Sequence, residues 1–502
     1  MKKISNQLLK NYKQIVLFLT LLLIAHSPKV SANNITIENA SIVSQNTGEG
    51  TAMIGFDIKW SNSWRVSFGP SNWDAAWVFI KYRVNDGDWQ HASLSYVDGT
   101  GANDGHIVPT GAEINSKADH LDIESYSHGV FIYANSNLSQ STDNANYTGA
   151  QLKWEYDYDG VLSSDNIDIK IFAIEMVYVP EGNYMLGAQK TGLEQKYIRN
   201  TASDDPITIT NEGALDFAIA DDPDDGVSKT DYSLAASFPK GYNSYYMMKY
   251  EITQQQFVDY LNTIPTTEIN NKSRIGVQTT YRFGLSKSSN IVSSIYPYLP
   301  MNFMKWEDLA NYLDWAALRP MTELEFEKAA RGSDSYNIAG QYAWGISTIV
   351  TDVYTYSNAD AEDEGIATNY GDGQGNAICL TTSSSYPVRV GIFSANADCS
   401  SRAEAGSSYY GIMELSGNVT EFVINAADAT GALFDGTHGN GEFDGFNNFD
   451  VSSWPSDSNG IGKKGGSFGD VANRLLVSDR GLMTVTLVRN QKFGGRGVRT
   501  AP

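Results

Sequence analysis

Apolar and polar residues alternate with period two along the first third of the chain. Ile35-Thr36-Ile37-Glu38-Asn39-Ala40, Ile54-Gly55-Phe56-Asp57-Ile58-Lys59-Trp60 and Trp77-Val78-Phe79-Ile80-Lys81-Tyr82-Arg83 all carry the pattern. It belongs to strands laid against a core. Val130-Phe131-Ile132-Tyr133 and Ile167-Asp168-Ile169-Lys170-Ile171-Phe172 predict further strands. Asn85-Asp86-Gly87-Asp88 and Asp98-Gly99-Thr100-Gly101 have turn chemistry and separate strands. Short strands at this spacing predict an all-β sandwich over residues 33–172.

Helical periodicity enters beyond residue 172. Tyr245-Tyr246-Met247-Met248-Lys249-Tyr250-Glu251-Ile252 reads as a strand running into a helix. Thr253 and Gln256 form a capping box there, with Phe257, Tyr260 and Leu261 on one face. A second helix falls within residues 300–317, where Leu309, Tyr312, Leu313 and Ala316 have core spacing. A third starts at Thr322, with Glu325 completing its cap, and stops at Gly332. Long Gly/Asp-rich insertions interrupt the pattern near 187–235, 265–298 and 425–460. The expected class is α+β: the N-terminal sandwich, then a mixed α/β, loop-rich domain over 173–502.

A length of 502 residues suits two or three domains. The net charge of -22 repels nucleic acid and anionic membrane surfaces, and it suits hard cations. Lys2, Lys3, Lys10 and Lys13 precede an apolar run over 15–25, and Val30-Ser31-Ala32 offers small residues for cleavage. Residues 1–32 therefore read as a signal peptide. No second apolar segment of spanning length occurs, so the mature chain is expected to be secreted or periplasmic, without stable membrane insertion. Cys379 and Cys399 are the only cysteines, and in an oxidising compartment they predict a disulfide; two free thiols are the alternative. His91, His106, His120 and His128 lie in the first region without metal-ligand spacing.

Several motifs occur in a characteristic order. The first is Glu175-Met176-Val177-Tyr178-Val179-Pro180-Glu181-Gly182-Asn183-Tyr184-Met185-Leu186-Gly187. Arg319-Pro320-Met321-Thr322-Glu323-Leu324-Glu325-Phe326-Glu327 and Tyr342-Ala343-Trp344-Gly345 follow. Then come Tyr410-Gly411-Ile412-Met413-Glu414-Leu415-Ser416-Gly417-Asn418-Val419-Thr420-Glu421-Phe422, Lys464-Gly465-Gly466-Ser467-Phe468 and Gly497-Val498-Arg499. Together they resemble the formylglycine-generating, or sulfatase-modifying factor, family, which implies a fold related to C-type lectins over 173–502. The resemblance implies a calcium ion held by the carboxylates of Glu414 and Glu421 and the main-chain carbonyls of Gly417 and Val419. It also implies a second calcium site at Asn358, Ala359 and Asp372. The family's oxidase binds copper through two thiolates after Gly-Gly-Ser. Asp470 and Leu475 stand at those positions, and neither is a soft ligand, so no copper is expected. Relatives with non-haem iron use several histidines; beyond residue 172 this chain has His438 alone.

In that fold the segment after Gly-Gly-Ser lines a cleft. Asp470, Asn473, Arg474, Ser478, Arg480 and Arg496 are the candidates there for contacting a ligand. The function expected from all this is a secreted calcium-binding protein that recognises an extracellular glycan, peptide or protein without catalysis. One alternative is an enzyme of the same family acting without the cysteine pair. The other is a structural cell-surface component.

Overall fold

A computed structural model describes residues 34–96, 105–117, 126–138, 144–188, 193–194, 196–203, 205–220, 229–333, 340–382 and 385–502. The expected leader, His120 and the 98–101 turn lie outside them.

Ten strands come first: β1 Thr36–Asn46, β2 Thr51–Trp60, β3 Asp74–Val84, β4 Gln90–His91, β5 Leu94–Ser95, β6 Ala112–Asn115, β7 Tyr126–Ser127, β8 Val130–Ala134, β9 Ala145–Trp154 and β10 Ile167–Val179. They divide between two sheets. One has the order β1-β2-β9-β5-β7. The other runs from the C-terminal strand Val498–Thr500 through Tyr245–Met248 to β10, β3, β8 and β6, with β4 on the end of β3. The β3–β4 turn is tight because Asn85 and Asp86 take left-handed φ values of 52° and 60°, a region asparagine and aspartate tolerate best.

Strand β3 is buried on both faces, which explains its nearly unbroken apolar run. Ala76, Val78, Ile80 and Tyr82 meet Ile54, Phe56, Ile58 and Trp60 of β2 and Leu152 and Trp154 of β9. Ala75, Trp77 and Phe79 point the other way into a larger cluster. The α-helices are α1 Gln254–Leu261, α2 Ile269–Lys272, α3 Trp306–Trp315 and α4 Glu323–Arg331. Helices α1 and α3 fill that larger cluster with Phe257, Tyr260, Leu261, Leu309, Tyr312 and Trp315. The chain is thus mostly strand with few helices, an α+β arrangement.

The caps are those the sequence predicts. Thr253 and Gln256 form a reciprocal box at α1, and Thr322 and Glu325 do so at α4. Gly332 ends α4 with φ 77°, its N–H returning to Lys328 O.

One sheet serves both regions of the chain. Strand β10 pairs with β3 from Ile167↔Val84 to Val177↔Asp74, and its last residues pair with Tyr245–Met248. At this seam Lys249 Nζ lies 3.1 Å from Glu175 Oε2 and 3.6 Å from Asp74 Oδ2, all buried. Trp60 Nε1, Ser63 Oγ and Trp64 N also donate to Asp74. No helix among the described residues is long and apolar enough to cross a membrane.

Candidate functional site

Residues 410–422 fold as a buried loop entering the strand Thr420–Ile424. Glu414, Gly417 and Asn418 have φ values of 55°, 103° and 62°, so the backbone turns sharply inward. Asn418 locks the turn: its Nδ2 donates to Glu251 Oε2 at 2.6 Å, and its Oδ1 accepts from Val388 N at 2.9 Å. Val419 N donates to the other Glu251 oxygen at 2.9 Å. Glu414 Oε1 accepts from Gly391 N at 2.8 Å, while its Oε2 has no hydrogen-bond partner.

Glu421 does not face an open site. Arg496 Nε and Nη2 bind its two oxygens at 2.6 and 2.7 Å. The same guanidinium donates to Met248 O, Lys249 O and Met413 O at 3.1, 3.2 and 2.8 Å. Burial lowers the Arg496 pKa, but the Glu421 carboxylate outweighs it and holds the guanidinium above its usual range. Burial raises all three neighbouring carboxyls. For Glu251 the charges of Glu414 and Glu421 add to the rise. For Glu414 the carboxyl reaches about 7 against the pull of Arg496 and Arg389. For Glu421 the pull of Arg496 only partly opposes it.

A calcium ion needs several unclaimed oxygens around one point. Here both oxygens of Glu421 are claimed by Arg496, and no group of three or more His, Cys, Asp or Glu among the described residues is arranged to hold a metal. Of the four expected ligands, Glu421 is thus engaged by Arg496, while Glu414 Oε2 has no hydrogen-bond partner.

The second expected site is dispersed. Asn358 sits at the turn between Thr355–Ser357 and Gly365–Thr368, its Nδ2 on Asp363 Oδ2 at 3.1 Å. The acids of this turn have their own cation: Arg282 binds Asp360 at 2.7 Å and both oxygens of Glu364. Ala359 and Asp372 are exposed, and the latter lies on the loop past the second strand.

Helix α4 supplies an ion-pair framework that sequence reading missed. Glu325 takes Arg319 at 2.7 and 2.9 Å. Glu323 takes Arg480 Nε at 2.7 Å. Glu327 takes Arg331 at 2.9 Å and Lys464 at 3.2 Å. Acids at alternate positions in a short helix would ordinarily face water, yet all three are buried here.

The segment after Ser467 is not the exposed cleft the sequence suggested. Arg480, besides Glu323, donates to Asn425 Oδ1 at 2.9 Å. Ser478 donates to Glu327 and accepts from Arg331. Arg474 binds Asp479 at 2.5 Å. Ser478, Arg480 and Arg496 are buried, because each satisfies an interior acid. Asn473 alone of the six candidates is exposed, with Asp470 and Arg474 half-buried.

A family model of the sulfatase-modifying factor enzyme 1-like domain matches residues 170–501. The chain belongs to this family. No curated protein matches it.

Asp470 and Leu475 follow Gly465-Gly466-Ser467 where the sequence resemblance expects thiols. Asp470 Oδ1 lies 3.0 Å from Lys492 Nζ, and its Oδ2 accepts from Ser467 Oγ at 2.5 Å. Leu475 is buried among Tyr342, Trp344, Ala377, Cys379 and Leu476. The expected disulfide is corrected as well: Cys379 and Cys399 are both free. Cys379 points into the Leu475 cluster, its Sγ 3.2 Å from Thr381 Oγ1. Cys399 sits in a separate turn closed by its own N–H to Asn396 O. Closeness in sequence does not bring the sulfurs together, because each belongs to a different packing unit.

A large concavity lies elsewhere. A cavity of about 790 Å³ opens where the β3–β4 hairpin and Tyr158 meet α3 and the 440–447 part of the family domain's third insertion. Its floor is tied across the two regions by Lys81 Nζ, which donates to Gly441 O at 3.0 Å. Burial brings the Lys81 ammonium down to about 7 despite nearby Asp314 and Glu442. On the insertion side, Asp314 Oδ1 accepts from Asn440 N at 3.0 Å and holds the strap in place.

Proposed function

We propose that this chain is an exported recognition protein, in which a non-oxidising family domain is fused to a β-sandwich and ligand enters at their junction. The cavity of about 790 Å³ carries this reading. Its size is that of a small-molecule or oligomer site, and both regions of the chain contribute walls. Copper-dependent oxidation draws no comparable support: Asp470 is paired to a lysine and Leu475 is in an apolar core, and copper(I) requires soft ligands.

Ligand-induced stabilisation tests the proposal. Thermal unfolding of residues 33–502 would be followed with neutral oligosaccharides, sulfated oligosaccharides and short peptides. A ligand that binds the native state raises the midpoint in a saturable way, and Tyr158→Ala at the cavity mouth should remove that rise. Conversion of a cysteine-containing peptide to an aldehyde by the copper-loaded chain, read by mass spectrometry, would overturn it.

A further inference from the structure

We infer that the junction cavity takes a neutral oligosaccharide; the inference rests on the reading of the cavity as the ligand site. The lining is amphipathic in the way a sugar is. The rings of Tyr126 and Tyr158 meet at 4.1 Å with an interplanar angle of 32°, and Tyr158 remains 47% exposed. Tyr126 thus backs the ring of Tyr158, which stands partly exposed at the mouth as an apolar surface. Trp89 is held by two cations, with the Arg83 guanidinium 5.0 Å and the Lys170 ammonium 4.6 Å from its ring centroid. Rigid aromatic surfaces of this kind receive the C–H face of a pyranose at little conformational cost.

The polar side of the lining has the complementary chemistry. Gln90 Oε1 accepts from the Tyr82 hydroxyl at 2.6 Å, which fixes the amide plane, and Gln90 Nε2 donates to no described group. Asn440 Oδ1 accepts from Glu442 N at 2.9 Å, and its Nδ2 likewise donates to no described group. Asp159 is preorganised as an acceptor by Ser93 N at 3.0 Å and Trp154 Nε1 at 2.6 Å. Amide donors beside carboxylate acceptors suit vicinal hydroxyls, which are both donor and acceptor.

Charge selects among ligands. Asp88, Asp159 and Glu442 line the cavity; of the nearby cations, Lys81 is engaged in its floor, Arg83 is paired with Asp168, and Lys170 lies over the Trp89 ring. Sulfated and carboxylated glycans would be repelled, and the net charge of -22 adds to that repulsion. A neutral sugar meets no such penalty.

Calorimetric titration with neutral tetra- to hexasaccharides of several linkages provides the test, alongside a sulfated oligosaccharide and a lysine-rich peptide as comparison probes. The expected result is saturable binding of one neutral series, weakened about tenfold by Tyr158→Ala, the order of one lost aromatic contact. Gln90→Ala should weaken it several-fold, and the sulfated probe should not bind. Both positions are solvent-exposed, so folding of the variants is checked simply by unchanged circular dichroism. Binding of the peptide but of no sugar, lost in Tyr158→Ala, would overturn the saccharide class and leave the site standing. Sugar binding indifferent to both substitutions would overturn the site. Binding of none of the probes would overturn the saccharide inference, and with it the recognition reading if the wider thermal screen is also silent.

Discussion

Arg496 grips both carboxylate oxygens of Glu421, at 2.6 and 2.7 Å, with neither residue open to solvent. The guanidinium also gathers three main-chain carbonyls, of Met248, Lys249 and Met413. One carboxylate with several carbonyl oxygens is the donor set a hard cation collects, and here an internal cation has it. Stability should therefore be indifferent to chelator and to added calcium. Arg496→Ala should cost about 3–5 kcal/mol in urea unfolding, because it strands a buried charge. Arg496→Lys should recover only part of that, since an ammonium cannot form the bidentate fork. A wild-type midpoint that climbs on calcium addition would sink this account.

The same loop sets a pH dependence. Burial raises the Glu414 carboxyl from 4.5 to about 7. Its folded pKa is above its unfolded one, so its contribution to stability is fully present below about pH 4.5 and disappears as pH rises through about 7. Glu251 is displaced in the same direction, by burial first and then by Glu414 and Glu421. Glu414→Gln keeps an oxygen for the Gly391 N–H but never ionises. Urea midpoints measured from about pH 5 to about pH 8 should fall less steeply in the variant than in the wild type. Parallel profiles would remove Glu414 from the explanation.

How much of this was readable beforehand follows the range of the interactions. The caps at Thr253 and Thr322 are local, three residues long, and they form as their letters suggest. Period-two alternation likewise announced β2, whereas β3 proved to be a nearly unbroken apolar run buried on both faces. What the sequence hid depends on partners far away in the chain. Glu323 and Arg480 are 157 residues apart, and Glu251 and Asn418 are 167 apart. Nothing local marks those acids as interior. Arg480 and Ser478 looked like cleft residues because polar groups in a loop normally face water; only the tertiary placement of α4 turns them inward. The cavity was equally invisible, since Gln90, Tyr158 and Asn440 come from distant segments that only the folded chain brings together.

The two thiols offer a direct chemical check. Cys379 is fully buried, whereas Cys399 is partly accessible with its thiol pKa raised by burial. Thiolate is the reactive form, so Cys399 should label slowly in the native protein and Cys379 only on unfolding. In denaturant without reductant, a thiol reagent should report both cysteines of the chain. Fewer than two reactive thiols in a freshly purified sample would restore the disulfide.

Trp77 bears on whether the two regions unfold together. Its Nε1 donates to Ala316 O at 2.8 Å, just past α3, and the Arg499 guanidinium lies 4.2 Å from its ring. A residue of β3 is thereby joined to the end of a family-domain helix and to the C-terminal strand. The continuous pairing of β10 with β3 and with Tyr245–Met248 makes the same connection through the backbone. Neither region can lose its part of the sheet without exposing the apolar face of the other. Calorimetry of residues 33–502 should therefore give one transition, with calorimetric and van't Hoff enthalpies in agreement. Trp77→Ala, which empties a fully buried site and leaves Ala316 O unpaired, should cost about 3–5 kcal/mol and lower that single midpoint without splitting it. Two resolved transitions in the wild type, with Trp77→Ala shifting just one of them, would show instead that the seam is a contact between independently folding units.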